Sequence, residues 1–559
     1  MSIVWIWRRR AAACVLRCSC VLGRFVPSVV LALGLLGGTD PVWASAGALP
    51  KIVKENGHYA LMVDGAPFLM LGGQVNNSSN WPAMLPKVWP AIAQLHANTV
   101  EVPISWEQIE AKEGTFDFSF LDTLLVQARA QRVHLVLLWF GTWKNNSPSY
   151  APEWVKLHNE RFPRSIDAKG KVWNSLSPNF EATLVADRNA FVALVRHLQG
   201  VDPSHTVLMI QVENETGIYG AVRDHSAAAQ KLFEAQVPQE IVKALGKNAG
   251  TWSQVFGKDA DEFFNAYSTA HFVDQVAAAG KAVYPIPMYV NVALRDPFKF
   301  QDPSEYSSGG PTWNVLDIWK AAAPSIDIIA PDIYSSDHRW YTRTLELYGR
   351  ADNPLFVPET SNRQDSARFF FEVLGHGALG YSPFGMDFTG YFNSPLGAPR
   401  LDEPTMEAFA RNYKLAEPMM RELAALSFEG KVWGESEPND THVQRLLLGT
   451  ESEARWQVEV SYGRDIFGDK EAKGNPIPSG GVLIAALGPD EFLVTGYDVR
   501  VKFQRAQQGT ARFMMSRVEE GYYTHGKWIF ERLWNGDQID WGLNFTGLPQ
   551  VLRVHLADY

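Results

Sequence analysis

The chain has 559 residues, 46% of them hydrophobic and 20% charged, with a formal net charge of −10. That length is too great for one ordinary core, and that composition excludes a disordered chain. The acidic balance leaves no basic stripe for nucleic acid or an anionic membrane as partner.

Residues 1–46 read as a secretory leader. "WRRR" (7–10), Arg17 and Arg24 are basic, "FVPSVVLALGLLGG" (25–38) is apolar, and Ala44 and Ala46 offer small residues at cleavage spacing. The apolar run is short for a membrane span and has no basic stop signal after it. The expectation is an exported protein, periplasmic or secreted, with no membrane span in its mature form. The leader carries five Arg and one Asp, a net +4, so the remainder carries −14. Cys14, Cys18 and Cys20 all fall in it. The rest of the chain is therefore expected to lack disulfides, a thiolate nucleophile and a Cys-ligated metal.

Eight short apolar runs follow: 68–77, 98–106, 133–143, 205–215, 284–292, 325–334, 354–360 and 378–388. Each ends in polar or aromatic residues, and their non-alternating character fits parallel strands covered on both faces. Amphipathic stretches lie between them, such as 118–132 and 187–200, the latter with Gly200 as its expected stop. The pattern predicts an α/β fold, a (β/α)8 TIM barrel over residues 47–425. A doubly wound open sheet is the competing arrangement. The barrel is preferred because functional-looking residues end nearly every run. The fourth connection, 216–283, is long and helix-rich; a lid, a substrate wall, a homodimer contact or a packed cover over the rim would each explain it. After residue 425 the helices give way to alternating strands such as 455–463, 497–503 and 551–556. Residues 426–559 are expected to form a C-terminal antiparallel β-sandwich-like domain, better suited to buttressing the barrel than to binding sugar.

"QVENET" (211–216) ends the fourth run with two carboxylates. Acids at the end of a buried strand are costly unless used or satisfied. Carboxylates at the strand ends of a barrel suggest proton transfer or glycosyl transfer, and for the latter a retaining glycosidase needs two carboxyl groups about 5–5.5 Å apart on opposite sides of the anomeric carbon. Glu213 and Glu215 would attack from one side, so the partner must come from another strand. Glu359, ending the seventh run in "VPET", lies across a closed barrel's mouth. Glu215 is the candidate acid/base and Glu359 the candidate nucleophile, with Tyr334 as a donor to it. Glu213 is expected to point into the barrel or to a basic partner as a structural carboxylate. "GHGALG" (375–380) precedes a strand and reads as a turn. His134, His205 and His271 lack metal spacing, and Asp327 and Asp332 flank "IIAP" without a placement that favours a cation.

"NTVEVPISWEQIEAKEGTFDF" (98–118), "VLLWFGTWKN" (136–145), "VENE" and "PLFVPET" resemble glycoside hydrolase family 35, over roughly residues 50–400. The resemblance implies a clan A barrel that acts as an exo-β-galactosidase, with Glu215 and Glu359 as the catalytic pair and no metal or cofactor. It also implies that Asn214 binds the sugar 2-hydroxyl, that Tyr334 contacts the nucleophile and that Asn145 is a sugar contact. Trp106, Trp143 and Glu101 complete the expected substrate-binding set. The pattern departs from the family at Pro103, Ile109, Trp143 and Ser147, all sugar-contact positions. The substrate expected is an oligo- or polysaccharide, with galactose on plant xyloglucan side chains as one such target. An exo-glycosidase for arabinosides or fucosides, and a non-catalytic carbohydrate-binding protein, are the alternatives.

Overall fold

The computed structural model describes residues 47–463, 471–507 and 512–559. The expected leader lies outside the described residues. Among those described, no helix is long and apolar enough to cross a membrane.

Strands Lys51–Glu55, His58–Val63 and Ala66–Phe68 come first, as an antiparallel sheet. Asn56–Gly57 and Asp64–Gly65 make its two-residue turns with all four φ positive, the geometry that fits the twist of tight hairpins. The barrel follows in eight strands: β1 (Met70–Gln74), β2 (Thr99–Ser105), β3 (His134–Lys144), β4 (Val207–Asn214), β5 (Met288–Ala293), β6 (Ile328–Ile333), β7 (Val357–Thr360) and β8 (Gly380–Pro383). They pair in chain order, all parallel, and β8 closes on β1 through Gly380–Met70 and Tyr381–Leu71. Each of the eight predicted runs holds one strand, and the closed sequential order excludes the doubly wound sheet.

The barrel interior is filled by Val136, Leu138, Phe140, Leu208, Tyr289, Ile328 and Phe356. Leu61, Val63 and Phe68 of the hairpin sheet join that cluster and so cover the end of the barrel where the strands begin. Outward residues of the same strands pack on helices. Trp139, for example, meets Phe191 of the helix Glu181–Val201 at 5.7 Å between ring centroids. Gly200 does not stop that helix. It ends at Asp202, whose carboxylate accepts the backbone N–H groups of Thr206 and Val207 and pairs with Arg129. The long fourth connection holds three short α-helices, one 3-10 turn (Gly257–Asp259) and then the helix Ala260–Lys281. Ile241, Val242, Trp252 and Phe256 from the short ones are buried in the main core.

The C-terminal strands form two antiparallel sheets of six and four strands. The alternating inner faces share one core of Trp456, Val458, Val460, Ile484, Val494, Val501, Phe503 and Val554. The predicted strand 497–503 is Val499–Arg505; left-handed Asp498 (φ 54°) turns the chain into it from Glu491–Tyr497, which lies in the other sheet. The sandwich docks on the helix Phe369–Gly375, which follows β7. There Gly434 lies so close that a Cβ on it would sit 2.1 Å from the Phe371 carbonyl oxygen. Beside that contact, buried Arg368 donates to the carbonyl of Glu437 at 2.9 Å and to that of Ser336 at 3.0 Å. A sandwich strand end is thereby tied to the loop after β6.

Candidate active site

β3 and β4 set the geometry. Their register holds from Leu137–Ile210 to Trp139–Val212, then jumps to Lys144–Asn214. β3 therefore carries extra residues at its tip, a bulge of the kind found at barrel rims beside active sites. Asn145 and Asn146 continue it with left-handed backbones, φ 51° and 65°. Their N–H groups donate to the carbonyls of Asn214 and Glu215 at 3.3 and 3.2 Å, and Asn146 Nδ2 adds a bond to the Glu215 carbonyl at 2.8 Å. The tip of β3 thus clamps the tip of β4.

Glu213 and Glu215 are themselves left-handed, with φ 64° and 44°. Each such non-glycine residue costs on the order of 1–2 kcal/mol. The turn ends the strand's alternation and separates the two carboxylates. Glu213 is fully buried and faces Asp187 on the helix Glu181–Val201, not a cation. This corrects the expectation of a basic partner or an inward-facing side chain. Burial first, then the Asp187 charge, pushes Glu213 well above the usual carboxylate range. The pair is anchored under the bulge: Trp143 N–H donates to Glu213 Oε2 at 2.7 Å, and Trp139 Nε1 and Thr142 N–H each donate to Asp187 at 2.9 Å. Gly141 is required there. A Cβ on it would lie 2.7 Å from Glu213 Oε1 and 2.8 Å from Asp187 Oδ2.

Glu215 opens onto a cavity of about 840 Å³ at the C-terminal mouth of the barrel. Glu359, from the end of β7, lines the same cavity, as do Asn145, Tyr334, Lys144 and Asp332. One carboxyl oxygen each of Glu215, Asp332 and Glu359 lies within 4.8 Å of the other two. Glu359 is buried and well supplied with donors: Gln74 Nε2 at 2.9 Å on Oε2, and the Tyr334 hydroxyl on Oε1. Glu215 differs. Burial, opposed in part by Lys144 and reinforced by the Glu359 charge, pushes it up to about 7. The two acids thus differ in their surroundings: Glu359 has a donor on each oxygen, whereas Glu215 is raised by burial.

The other predicted residues fall in different places. Asn214 is fully buried, and neither atom of its side-chain amide has a hydrogen-bond partner, a rare state that asks for a ligand group. Glu101 sits below the cavity as a buried acid, raised above its ordinary range mainly by desolvation, with the Tyr289 hydroxyl at 3.3 Å. Trp106 and Trp143 do not line the cavity. Trp106 bonds Glu110 at 2.9 Å and packs edge-on to Trp154; Trp143 donates to the Leu176 carbonyl at 3.1 Å and packs on Phe272. Both rings are core, as large aromatics on a strand mostly are. Sequence reasoning missed Gln74, Lys144, Asn291 and the wall formed by Trp340, Phe384, Tyr391 and Phe392. Gln74 ends its strand as Glu215 and Glu359 end theirs, a positional signal that was available.

Comparison with known proteins bears on this site. Residues 80–264 match the family model described as Beta-galactosidase, that of glycoside hydrolase family 42. This stretch is β-galactosidase-like. It contains Glu215 and stops short of Glu359. Residues 409–546 match a domain of unknown function, DUF5597. A beta-galactosidase of Xanthomonas manihotis is 26% identical over 216 residues, 37% of this chain and 32% of that protein. The chain thus aligns with about a third of that relative's length. Among solved structures, the beta-galactosidase of Marinomonas ef1 is 13% identical with a TM-score of 0.48, over 64% of this chain and 61% of that one. The beta-galactosidase of Bacillus circulans sp. alkalophilus is 14% identical with a TM-score of 0.46, over 64% and 57%.

Proposed function

We propose that the protein is an exported, retaining exo-β-galactosidase that acts by double displacement. Glu215 protonates the leaving oxygen while Glu359 attacks the anomeric carbon; Glu215 then takes a proton from the water that releases the sugar. The observation that carries this reading is the pair itself. One carboxyl oxygen of Glu215 and one of Glu359 lie within 4.8 Å of each other across one cavity, a closeness that favours a retaining pair over the wider spacing of an inverting one. Gln74 and Tyr334 each donate to one oxygen of Glu359, the kind of support a nucleophilic carboxylate needs, and Glu215 at about 7 suits proton donation near neutrality. The unpartnered Asn214 amide would receive the sugar 2-hydroxyl, and Asn145 a second hydroxyl.

Galactose follows from the β-galactosidase likeness of residues 80–264 and from the family 35 resemblance. The cavity is large for one sugar ring, and exposed Tyr391 and Phe392 stand in its wall. Those rings suit the apolar faces of a sugar chain on the leaving side, so a side-chain galactose on a plant polysaccharide such as xyloglucan is the proposed target. An arabinosidase or fucosidase would use the same carboxyl pair with different hydroxyl contacts.

The test is stereochemical. Proton NMR of an aryl β-galactoside digest should show β-galactose as the first-released anomer, with α-galactose growing in only by mutarotation. First release of the α anomer would sink the retaining mechanism. A panel of aryl arabinosides, fucosides and galactosides, compared by kcat/KM, decides the sugar; no cleavage of any of them would favour a non-catalytic binding protein.

A further inference from the structure

Asp332, on β6, does not behave as an ordinary charged residue. It is buried, and its carboxyl lies within 4.8 Å of both Glu215 and Glu359. Its Oδ2 accepts from Asn291 Nδ2 at 2.7 Å, and Asn291 Oδ1 accepts the backbone N–H of Glu215 at 3.0 Å. Asn291 therefore fixes Asp332 and the Glu215 backbone as one unit. The remaining oxygen, Oδ1, is fully buried and no donor reaches it. An ionised carboxylate is acceptor-only and would leave that oxygen desolvated without compensation.

Most of the surroundings oppose a charge. Glu215 faces Asp332 from β4, Glu359 from β7 and Glu101 from β2, with the hydroxyls of Tyr289, Tyr334 and Tyr348 around them. Lys144, from β3, is the cation acting on it, and its Nζ donates to Asn145 Oδ1. Three carboxyls this close cannot all ionise. Burial, then the charges of Glu359 and Glu215, hold Asp332 well above the usual carboxylate range. Asp332 Oδ1 has no partner of its own, and the Asp332 and Glu215 carboxyls lie within 4.8 Å of each other, with Asp332 acting on Glu215 in the sense that favours its ionised form. Two carboxyl groups can hydrogen-bond only when one of them carries a proton.

We propose that Asp332 is a positioning residue held as a neutral carboxylic acid, whose Oδ1–H donates to the Glu215 carboxylate whenever Glu215 has given up its proton. This rests on Glu215 being the acid/base. The Asp332 O–H bond stays intact throughout. Glu215 passes its own proton to the leaving oxygen, accepts the Asp332 hydrogen bond as an anion, and regains a proton from the attacking water. Asp332 thereby keeps Glu215 from rising so far that it fails as a base in the second step.

The sign of a pH shift tests this. The kcat/KM profile on phenyl β-galactoside is measured for the wild type, Asp332→Ala, Asp332→Asn and Glu215→Gln, with circular dichroism as the folding control. Loss of a donor to the Glu215 anion moves the basic limb up, so Asp332→Ala should raise it by about 0.5–1 pH unit. Asp332→Asn keeps one acceptor for Asn291 and one donor for Glu215, and should hold the limb within about 0.3 unit. Loss of an anion would move the limb down in both variants. A downward shift in either, or an unmoved limb in a folded Asp332→Ala, overturns the proposal. Asp332→Asn decides the sign even if the alanine variant misfolds. Glu215→Gln should abolish the limb altogether. If the limb survives that change, the acid/base reading itself falls; if it disappears there and fails to rise in Asp332→Ala, only the role of Asp332 falls.

Discussion

Two acid clusters in this molecule look alike by composition and differ in what surrounds them. Glu215, Asp332 and Glu359 bring three carboxyl oxygens within 4.8 Å at the mouth of the barrel; His338, Glu372 and Glu435 do the same with an imidazole and two carboxyls between barrel and sandwich. The second cluster closes on itself and, among the described residues, faces no cavity, with His338 Nε2 meeting Glu372 as an ion pair and not as a hydrogen bond. His338 pairs with Glu372 at 2.9 Å, Thr342 and Ser436 hydroxyls also donate to Glu372, and Gln444 donates to Glu435 at 2.8 Å. The first is left incomplete: Asp332 Oδ1 and both polar atoms of the Asn214 amide have no partner, beside a cavity of about 840 Å³. Density of acid does not mark an active site. Unmet hydrogen-bonding capacity beside open volume does.

The largest effect that would sharpen this contrast is at Glu215. Glu215→Gln should lower kcat/KM by roughly 10⁴-fold on a poor leaving group and by about 100-fold less than that on a dinitrophenyl galactoside, which needs no proton. Equal losses on both would contradict the acid role. Next comes Tyr334→Phe, which removes one charge-assisted donor from Glu359. The loss of about 1.5–3 kcal/mol corresponds to a roughly 10–150-fold fall in kcat, with the melting temperature little changed.

The interface region should respond in stability instead. Arg368→Ala leaves the Glu437 and Ser336 carbonyls without their donors and should cost about 3–5 kcal/mol in chemical denaturation. The smallest effect is pH-dependent. Glu435 is pushed up to about 7, chiefly by burial and then by the Glu372 charge. A carboxyl raised on folding contributes stability below its unfolded pKa of 4.5, and that contribution is lost as pH rises through about 7. Glu435→Gln should therefore raise the melting temperature at pH 8 by roughly 1–3 °C and leave it nearly unchanged at pH 4. A gain at pH 4 and none at pH 8 would reverse the assignment.

Much of the architecture was legible in the sequence because it rests on local patterns: continuous apolar runs, helical spacing between them, and alternation after residue 425. The carboxyl pair was legible because both members end runs, at "VENE" and "VPET". What remained hidden depends on backbone turns and distant partners. The left-handed turn at Glu213 sends that side chain to Asp187, and no periodicity announces it. Gln74 reaches Glu359 across 285 residues of chain. Asp332 was discounted as a cation ligand, and its tie to Asn291 and Glu215 appears only when β4, β5 and β6 stand side by side. Trp106 and Trp143 misled because a strand-end ring looks the same whether it faces a cavity or a helix.

The central claim is that Glu359 is the nucleophile of a retaining pair. Its most direct test is Glu359→Ala assayed on dinitrophenyl β-galactoside with and without sodium azide. The account predicts a loss of at least about 10⁴-fold, partly restored by azide, with α-galactosyl azide as the product. Undiminished activity in the variant, or rescue that yields the β azide, would contradict it.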